Sequence, residues 1–159
     1  MLLQQQPNID LTKRSADGTT ALHYVVRIRP ADKIAQEKLK TILDKFLSLV
    51  DVDIIGKSDE TALHQAVMRG NEFTSKYLLE HGASPNAVND SGATPLIYAV
   101  QNNSFNLVQL LLSFGGDPTI ASKRGSALEL STKVDPQINQ LCQSEFFYLS
   151  SPSPSLSFA

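Results

Sequence analysis

The sequence has very little cysteine and almost no net charge. Cys142 is its one cysteine, and 14 basic residues stand against 16 acidic ones, which leaves a net charge of −2. A single cysteine excludes an internal disulfide framework and a metal site built from several cysteines. A charge this close to zero gives no reason to expect nucleic acid or an anionic membrane as a partner. We therefore expect no nucleic-acid partner, no membrane partner and no bound metal.

Long apolar runs are also missing. No run reaches the ~20 residues that a membrane-spanning helix needs. The apolar residues at positions 1–3 precede three glutamines and a proline, and this is too short a run for a signal peptide. With 159 residues, 42% of them apolar, the chain can bury the core of one domain. We expect a soluble monomer in the cytoplasm, with a nuclear location left open.

Known catalytic patterns are absent. Gly56-Lys57-Ser58 resembles the end of a phosphate-binding loop, but the first glycine of that loop would fall at position 51, which is Asp51. The chain has no nucleophile elbow and no Rossmann glycine run. Its three histidines and one cysteine do not have zinc-ligand spacing. The sequence predicts a protein without enzymatic activity, catalytic residues or a cofactor.

What the chain does contain is a repeated phrase. Its copies are Thr20-Ala21-Leu22-His23, Thr61-Ala62-Leu63-His64, Thr94-Pro95-Leu96-Ile97 and, in degraded form, Ser126-Ala127-Leu128-Glu129. The first residues of these copies are 41, 33 and 32 positions apart. A period near 33 residues indicates stacked two-helix units. Such a solenoid presents a surface for binding and does not enclose a catalytic pocket.

Turn and cap residues place the helices of each unit. In the second unit we predict a first helix over 61–67, capped by the Thr61 hydroxyl, and a second helix over 73–81. Gly70 suits the left-handed turn between them, and Asn103 takes its place in the third unit. The repeated leucines at 22, 63, 96 and 128 are predicted to lie in the core.

The second and third units resemble ankyrin repeats. The family's phrase, from a turn glycine through Thr-Pro-Leu-His to a Leu-Leu…Gly-Ala ending, is visible in residues 61–83 and 89–116. The resemblance implies an all-α fold: an ankyrin-like α-solenoid of about four helix-turn-helix repeats with short projecting β-hairpin loops. We place the units at about 10–53, 56–88, 89–121 and 122–143, within a domain spanning 1–145. Residues 146–159 are predicted to form a Ser/Pro-rich disordered tail or linker.

The two end units depart from the pattern. The first contains eight extra residues, which we place between its helices around 27–31, before a long second helix that Asp32 caps. In the fourth, Glu129 replaces the histidine and makes the unit polar enough to close the solenoid. Residues 2–10 resemble the end of a preceding unit. Either they form a thin cap, or the chain was cut from a longer protein.

The resemblance also implies where a partner binds. In ankyrin repeats the hairpin tips and the exposed ends of the first helices line a concave face. At these positions the first unit has Asp17, Thr19, Arg27 and Ile28, the second has Lys57, Ser58, Glu60, Met68 and Arg69, and the third has Asp90, Ser91, Gln101 and Asn102. Arginine beside an exposed apolar side chain is typical of binding hot spots.

Two further roles follow from the resemblance. His23 and His64 occupy equivalent positions, where the family implies structural hydrogen bonds between a helix and the neighbouring loop. Asn86 follows Leu78-Leu79 and Pro85 in a pattern similar to the site that an asparaginyl hydroxylase modifies in some ankyrin repeats. Asn86 is therefore a candidate for hydroxylation, and the alternative is a purely structural turn residue.

The functional hypothesis is a non-enzymatic module or scaffold for protein–protein interaction, acting in signalling. Its partner is another protein, whose identity the sequence does not give. The alternative is an ankyrin scaffold or autoinhibitory segment of a larger signalling enzyme, such as a small-GTPase regulator or a kinase.

Overall fold

Four helix pairs follow one another along the chain, and a turn or hairpin precedes the first helix of each pair. This computed structural model describes residues 10–150, and it confirms the predicted all-α ankyrin-like solenoid. The helices are α1 (Ala21–Val25), α2 (Lys33–Leu47), α3 (Ala62–Met68), α4 (Glu72–Glu80), α5 (Pro95–Gln101), α6 (Phe105–Ser113), α7 (Ala127–Ser131) and α8 (Pro136–Ser150). Strands β1 (Ala121–Ser122) and β2 (Gly125–Ser126) form one short antiparallel hairpin.

Hydroxyl and carboxylate caps fix where the helices begin. The Thr61 hydroxyl accepts a hydrogen bond from the backbone N–H of His64 at 3.4 Å, and the Thr94 hydroxyl accepts one from Ile97 at 3.4 Å. Asp32 does the same for α2, since its carboxylate accepts from the Ala35 N–H at 2.7 Å. These side chains satisfy backbone donors that the first helical turn leaves without partners.

The predicted turn between the paired helices is confirmed. Gly70 and Asn103 both adopt the left-handed conformation, with φ of +66° and +53°. Asn71 then caps α4, while its amide nitrogen donates to the carbonyls of Val26 at 3.1 Å and Ile28 at 2.8 Å. One buried asparagine thereby ends a turn and joins the second unit to the first.

The core is one continuous layer between the helix pairs. Leu22, Leu63 and Leu96 are fully buried, as predicted, with Ala66 and Ala99 packed beside them. Leu128 is only partly buried, so the core prediction fails at this position. It belongs to the last unit, and within residues 10–150 no later unit packs against it.

The insertion in the first unit divides between loop and helix, and the predicted long second helix that Asp32 caps is confirmed. Helix α2 has 15 residues against nine in α4 and nine in α6, so six of the eight extra residues lengthen the second helix. They add about 9 Å to it at 1.5 Å per residue. Pro30 keeps the connection non-helical only as far as Asp32, and no helix breaker follows Asp32 before Leu47.

The last unit has the expected hairpin, but its second helix is longer than expected. Its hairpin pairs Ala121 with Ser126 and Ser122 with Gly125, and Gly125 has the positive φ of +111°. Residues 146–150 continue α8 and are not part of a tail, because no proline or glycine interrupts them. The remainder of the predicted tail, 151–159, and the predicted end of a preceding unit at 2–9 lie outside the described residues.

None of the helices between residues 10 and 150 is long and apolar enough to span a membrane.

Replacement of Leu63 by alanine should lower the free energy of unfolding by about 2–5 kcal/mol, because it leaves a cavity between two units. Urea denaturation followed by circular dichroism measures this loss. Val88→Ala is the matched control, since Val88 is half exposed and its truncation should change stability by less than about 0.5 kcal/mol. Equal losses for the two variants would contradict the assignment of Leu63 to the core.

Candidate protein-binding surface

Backbone hydrogen bonds tie together the loops that precede α3, α5 and α7. Asp90 donates its backbone N–H to the Ser58 carbonyl at 3.0 Å, and Lys123 donates to the Ser91 carbonyl at 3.1 Å. Buried Asn89 holds the middle loop: its side-chain oxygen accepts from the N–H groups of Ser91 and Ala93 at 3.0 Å each. The loop tips are therefore held in fixed positions relative to one another.

Two histidines link the helices to these loops, as the family resemblance implied. The Nδ1 of His23 accepts from the Thr20 hydroxyl at 2.7 Å, and its Nε2–H donates to the Glu60 carbonyl at 2.8 Å. His64 repeats the arrangement with the Thr61 hydroxyl at 2.9 Å and the Ala93 carbonyl at 3.0 Å. Both ring nitrogens of each histidine have a partner, so these side chains couple adjacent units.

Gly56-Lys57-Ser58 has a structural role in this linkage. Residues Lys57–Asp59 form a single tight turn before α3, and between residues 10 and 56 the structure has no strand. A side-chain carbon on Gly56 would lie 2.8 Å from the Nε2 of His23, which is closer than real contacts allow. Glycine is therefore required here to let the imidazole reach the loop.

A first cleft lies between units one and two. Its volume is about 270 Å³, and it is lined by Asp17, Thr19, His23, Arg27, Lys57, Ser58, Glu60 and Gln65. Six of the predicted binding residues thus lie together. Arg27 donates from Nε to the Gln65 side-chain oxygen at 3.1 Å, and Gln65 in turn donates to the Glu60 carboxylate. Thr19 is 4% exposed, so it shapes the cleft without offering contact area.

A second cleft lies between units three and four. Its volume is about 330 Å³, and it combines the predicted Ser91 and Gln101 with Ala93, Ile97, Tyr98, Ser122, Lys123 and Arg124. The Tyr98 hydroxyl accepts from the Asn89 amide at 2.9 Å and lies 3.4 Å from the Glu60 carboxylate. This polar chain connects the second cleft to the first.

The sequence did not lead us to one repeat position that borders the clefts. Tyr24, Gln65 and Tyr98 each stand four residues after the threonine that opens their unit. Gln65 and Tyr98 line the two clefts, and the Arg27 guanidinium lies 5.1 Å from the Tyr24 ring centroid. Each of the three follows its threonine, Thr20, Thr61 or Thr94, by the same four positions, and this repeated spacing could have identified them.

Other predicted residues lie outside both clefts. Ile28, Met68, Arg69 and Asn102 gather near the carboxyl ends of the first helices, and Asp90 is exposed at a loop tip. Asn102 donates to the Met68 carbonyl at 3.2 Å, which ties unit three to unit two. Within residues 10–150 no group of three or more His, Cys, Asp or Glu side chains is placed to hold a metal ion.

Paired helices joined in series by loops on one side define a repeat solenoid. A family model described as ankyrin repeats (3 copies) matches residues 31–122. This chain belongs to the ankyrin-repeat family, which confirms the resemblance stated from the sequence.

The chain is similar to parts of much longer proteins. It is 39% identical over 112 residues to mouse B-cell lymphoma 3 protein homolog, a match covering 69% of this chain and 24% of that protein. Human BCL-6 corepressor-like protein 1 is 40% identical over 83 residues, covering 52% of this chain and 5% of the relative. Mouse 2-5A-dependent ribonuclease is 44% identical over 69 residues, covering 43% and 9%. The chain thus spans a quarter or less of each relative.

Stability should fall as the pH drops below about 6.5, the ordinary pKa of histidine. Burial lowers the pKa of His23 and of His64 in the folded chain. The unfolded chain then binds protons first, so the stability present above pH 6.5 is lost as the pH falls through the unfolded value toward the lower folded one. Each histidine contributes at most about 1.4 kcal/mol per pH unit.

Urea denaturation between pH 7.5 and 5.5 measures this dependence. His64→Gln should flatten the slope, because it removes one of the two buried groups whose pKa is lowered by folding. A slope that His64→Gln does not alter would show that another group is responsible.

Asn86 joins the turn after α4 to the end of α6. Its amide nitrogen donates to the Gly115 carbonyl at 2.9 Å, and its side-chain oxygen accepts from the Asp117 N–H at 2.7 Å. Hydroxylation of this residue stays a prediction. Co-expression with the asparaginyl hydroxylase should add 16 Da to the peptide containing Asn86, as the mass of one added oxygen requires.

Intact-mass and peptide mass spectrometry provide the test, with Asn86→Ala as the control that should abolish the shift. An unshifted mass for the wild-type chain would leave Asn86 with only its structural role.

Proposed function

We propose that this chain is a non-enzymatic scaffold that holds a segment of another protein against the loops and first helices. Ankyrin repeats are generally protein-interaction modules. The observation that carries the proposal is the row of hydrogen-bonded loops above two clefts. A preorganised surface loses little conformational entropy on binding.

The chemistry of the second cleft favours an extended segment with an acidic residue. Lys123 and Arg124 border the second cleft, whose lining contains no carboxylate among the described residues. Arg27 of the first cleft lies over the ring of the exposed Tyr24, a cationic and aromatic pair of the kind found at hot spots. We propose that Arg27 and Lys123 contact the partner, and that the chain does so as a monomer in the cytoplasm or nucleus.

The second candidate is a scaffold or autoinhibitory segment of a larger signalling enzyme, such as a small-GTPase regulator or a kinase. It is favoured by the match to 9% of a protein named as a ribonuclease, which shows that similar repeats occur in long proteins named for catalysis. Sequencing of the full-length transcript tests it. A reading frame that encodes only these repeats would exclude it.

Charge reversal at Arg27 or Lys123 should weaken partner binding at least tenfold, because either change places a carboxylate where we expect one from the partner. Quantitative affinity purification with each variant measures the loss. Lys76→Glu is the control, since Lys76 of α4 lines the groove between α4 and α6 and is part of neither cleft.

Thermal unfolding of each variant verifies folding first. We expect that some of the proteins captured by the wild type are retained by Lys76→Glu. The same proteins should be lost from both Arg27→Glu and Lys123→Glu. If both cleft variants retain every protein that the wild type captures, binding through the clefts is excluded.

A further inference from the structure

The residue that precedes the opening threonine or serine of each unit is small in three units and acidic in one. Units one, three and four have Thr19, Ala93 and Gly125 at this position, and the first two of these are buried. Unit two has Glu60, which is partly buried and lines the first cleft. The repeat therefore accepts a small residue here and does not need a carboxylate for folding.

Two neutral side chains orient the Glu60 carboxylate. The Gln65 amide nitrogen of α3 donates to one of its oxygens, and the Tyr98 hydroxyl of α5 donates to the other at 3.4 Å. The Tyr98 hydroxyl in turn accepts from the Asn89 amide nitrogen at 2.9 Å. Donors from units two and three thus hold the carboxylate in a fixed place before any partner binds.

The charge of this carboxylate is not neutralised within residues 10–150. None of the ion pairs in that part of the chain includes Glu60. Gln65 links Glu60 to Arg27, because its side-chain oxygen accepts from the Arg27 Nε at 3.1 Å while its nitrogen donates to Glu60. The cation and the anion of the first cleft are therefore joined through a neutral amide and do not pair directly.

The Glu60 carboxylate also has unused capacity for hydrogen bonds. Its two oxygens offer about four acceptor sites, of which Gln65 and Tyr98 occupy one each. The remaining two match the parallel N–H donors of a guanidinium group, which binds carboxylates in a bidentate manner. Partial burial of a carboxylate without an ion pair costs desolvation energy, and a bound cation would offset that cost.

We propose that Glu60 binds an arginine side chain of the partner segment. This inference rests on the proposed function and adds a second sign of charge to it, since Lys123 binds a carboxylate of the partner and Glu60 binds a guanidinium. Gln65 and Tyr98 act as positioning residues for Glu60. A purely acidic segment would bring like charges together at Glu60 and lose affinity, so this residue selects partners of mixed charge.

A selection from a displayed library of random peptides tests the proposal on the purified chain. Peptides of ~12 residues have an extended length of ~40 Å, enough to pass over several units. Peptides selected by the wild type should be enriched in arginine and in acidic residues. Glu60→Gln should lose the arginine enrichment and keep the acidic enrichment, because Lys123 is unchanged. Glu72→Gln is the matched control, since Glu72 is exposed and belongs to neither cleft.

A charge exchange then tests direct contact. With one selected peptide, replacement of its arginine by glutamate should weaken binding to the wild type at least tenfold in fluorescence anisotropy. Glu60→Lys should bind the glutamate peptide more tightly than the wild type does. Circular dichroism should show both Glu60 variants folded, because the bond from His23 uses the backbone carbonyl of Glu60 and not its side chain.

The outcomes separate this inference from the proposed function. Selected peptides that depend on Lys123 but show no arginine enrichment would overturn the role of Glu60 and leave the proposed function standing. Arginine enrichment that persists in Glu60→Gln would overturn that role as well, as would a glutamate peptide that Glu60→Lys binds no better than the wild type. If the wild type selects no peptide whose binding Lys123→Glu weakens, the proposed function fails and the inference fails with it.

Discussion

The hydrogen bond from a histidine in one repeat to a loop carbonyl in the next is the interaction on which the rest of the structure depends. His23 reaches Glu60 and His64 reaches Ala93, in each case from a first helix whose threonine holds the other ring nitrogen. Helices of five to seven residues are unstable alone and need such coupling to their neighbours. The first cleft lies between units joined by His23, and the second lies between units three and four, which backbone hydrogen bonds join. Both clefts therefore exist only when the units stack.

The ends of the solenoid use the same repeat differently. In the fourth unit Glu129 replaces the histidine, and its carboxylate accepts from the Ser126 N–H at 2.8 Å within its own unit. In the first two units the side chain at this position bonds to the loop of the next unit. In the fourth unit it bonds within its own unit and caps α7. In the first unit the change falls mainly on the second helix, since α2 is six residues, or about 1.7 turns, longer than α4 or α6.

Most of the fold could be predicted because its signals are local. Thr61, Gly70 and Pro95 each act on the backbone beside them, and their spacing repeats. Local signals could not predict how many of the eight extra residues lie in the loop and how many in α2. Pro30 indicates a break in the helix, but it does not indicate how far the helix after Asp32 extends. For the site, side chains at variable positions were found through the family. Gln65 and Tyr98 were missed because their roles depend on partners in other units, Arg27 and Glu60 respectively.

The third unit has Ile97 where the first two have histidine, and this substitution has a consequence for how the chain opens. Ile97 is buried and contributes to the core, but it donates no hydrogen bond to the following loop. The last junction keeps backbone bonds such as that from Leu128 to the Pro118 carbonyl at 2.9 Å. Unfolding is therefore less strongly coupled across the junction between units three and four than across the two junctions before it. Amide hydrogen exchange in α7 and α8 should proceed through partial unfolding while the second and third units remain protected.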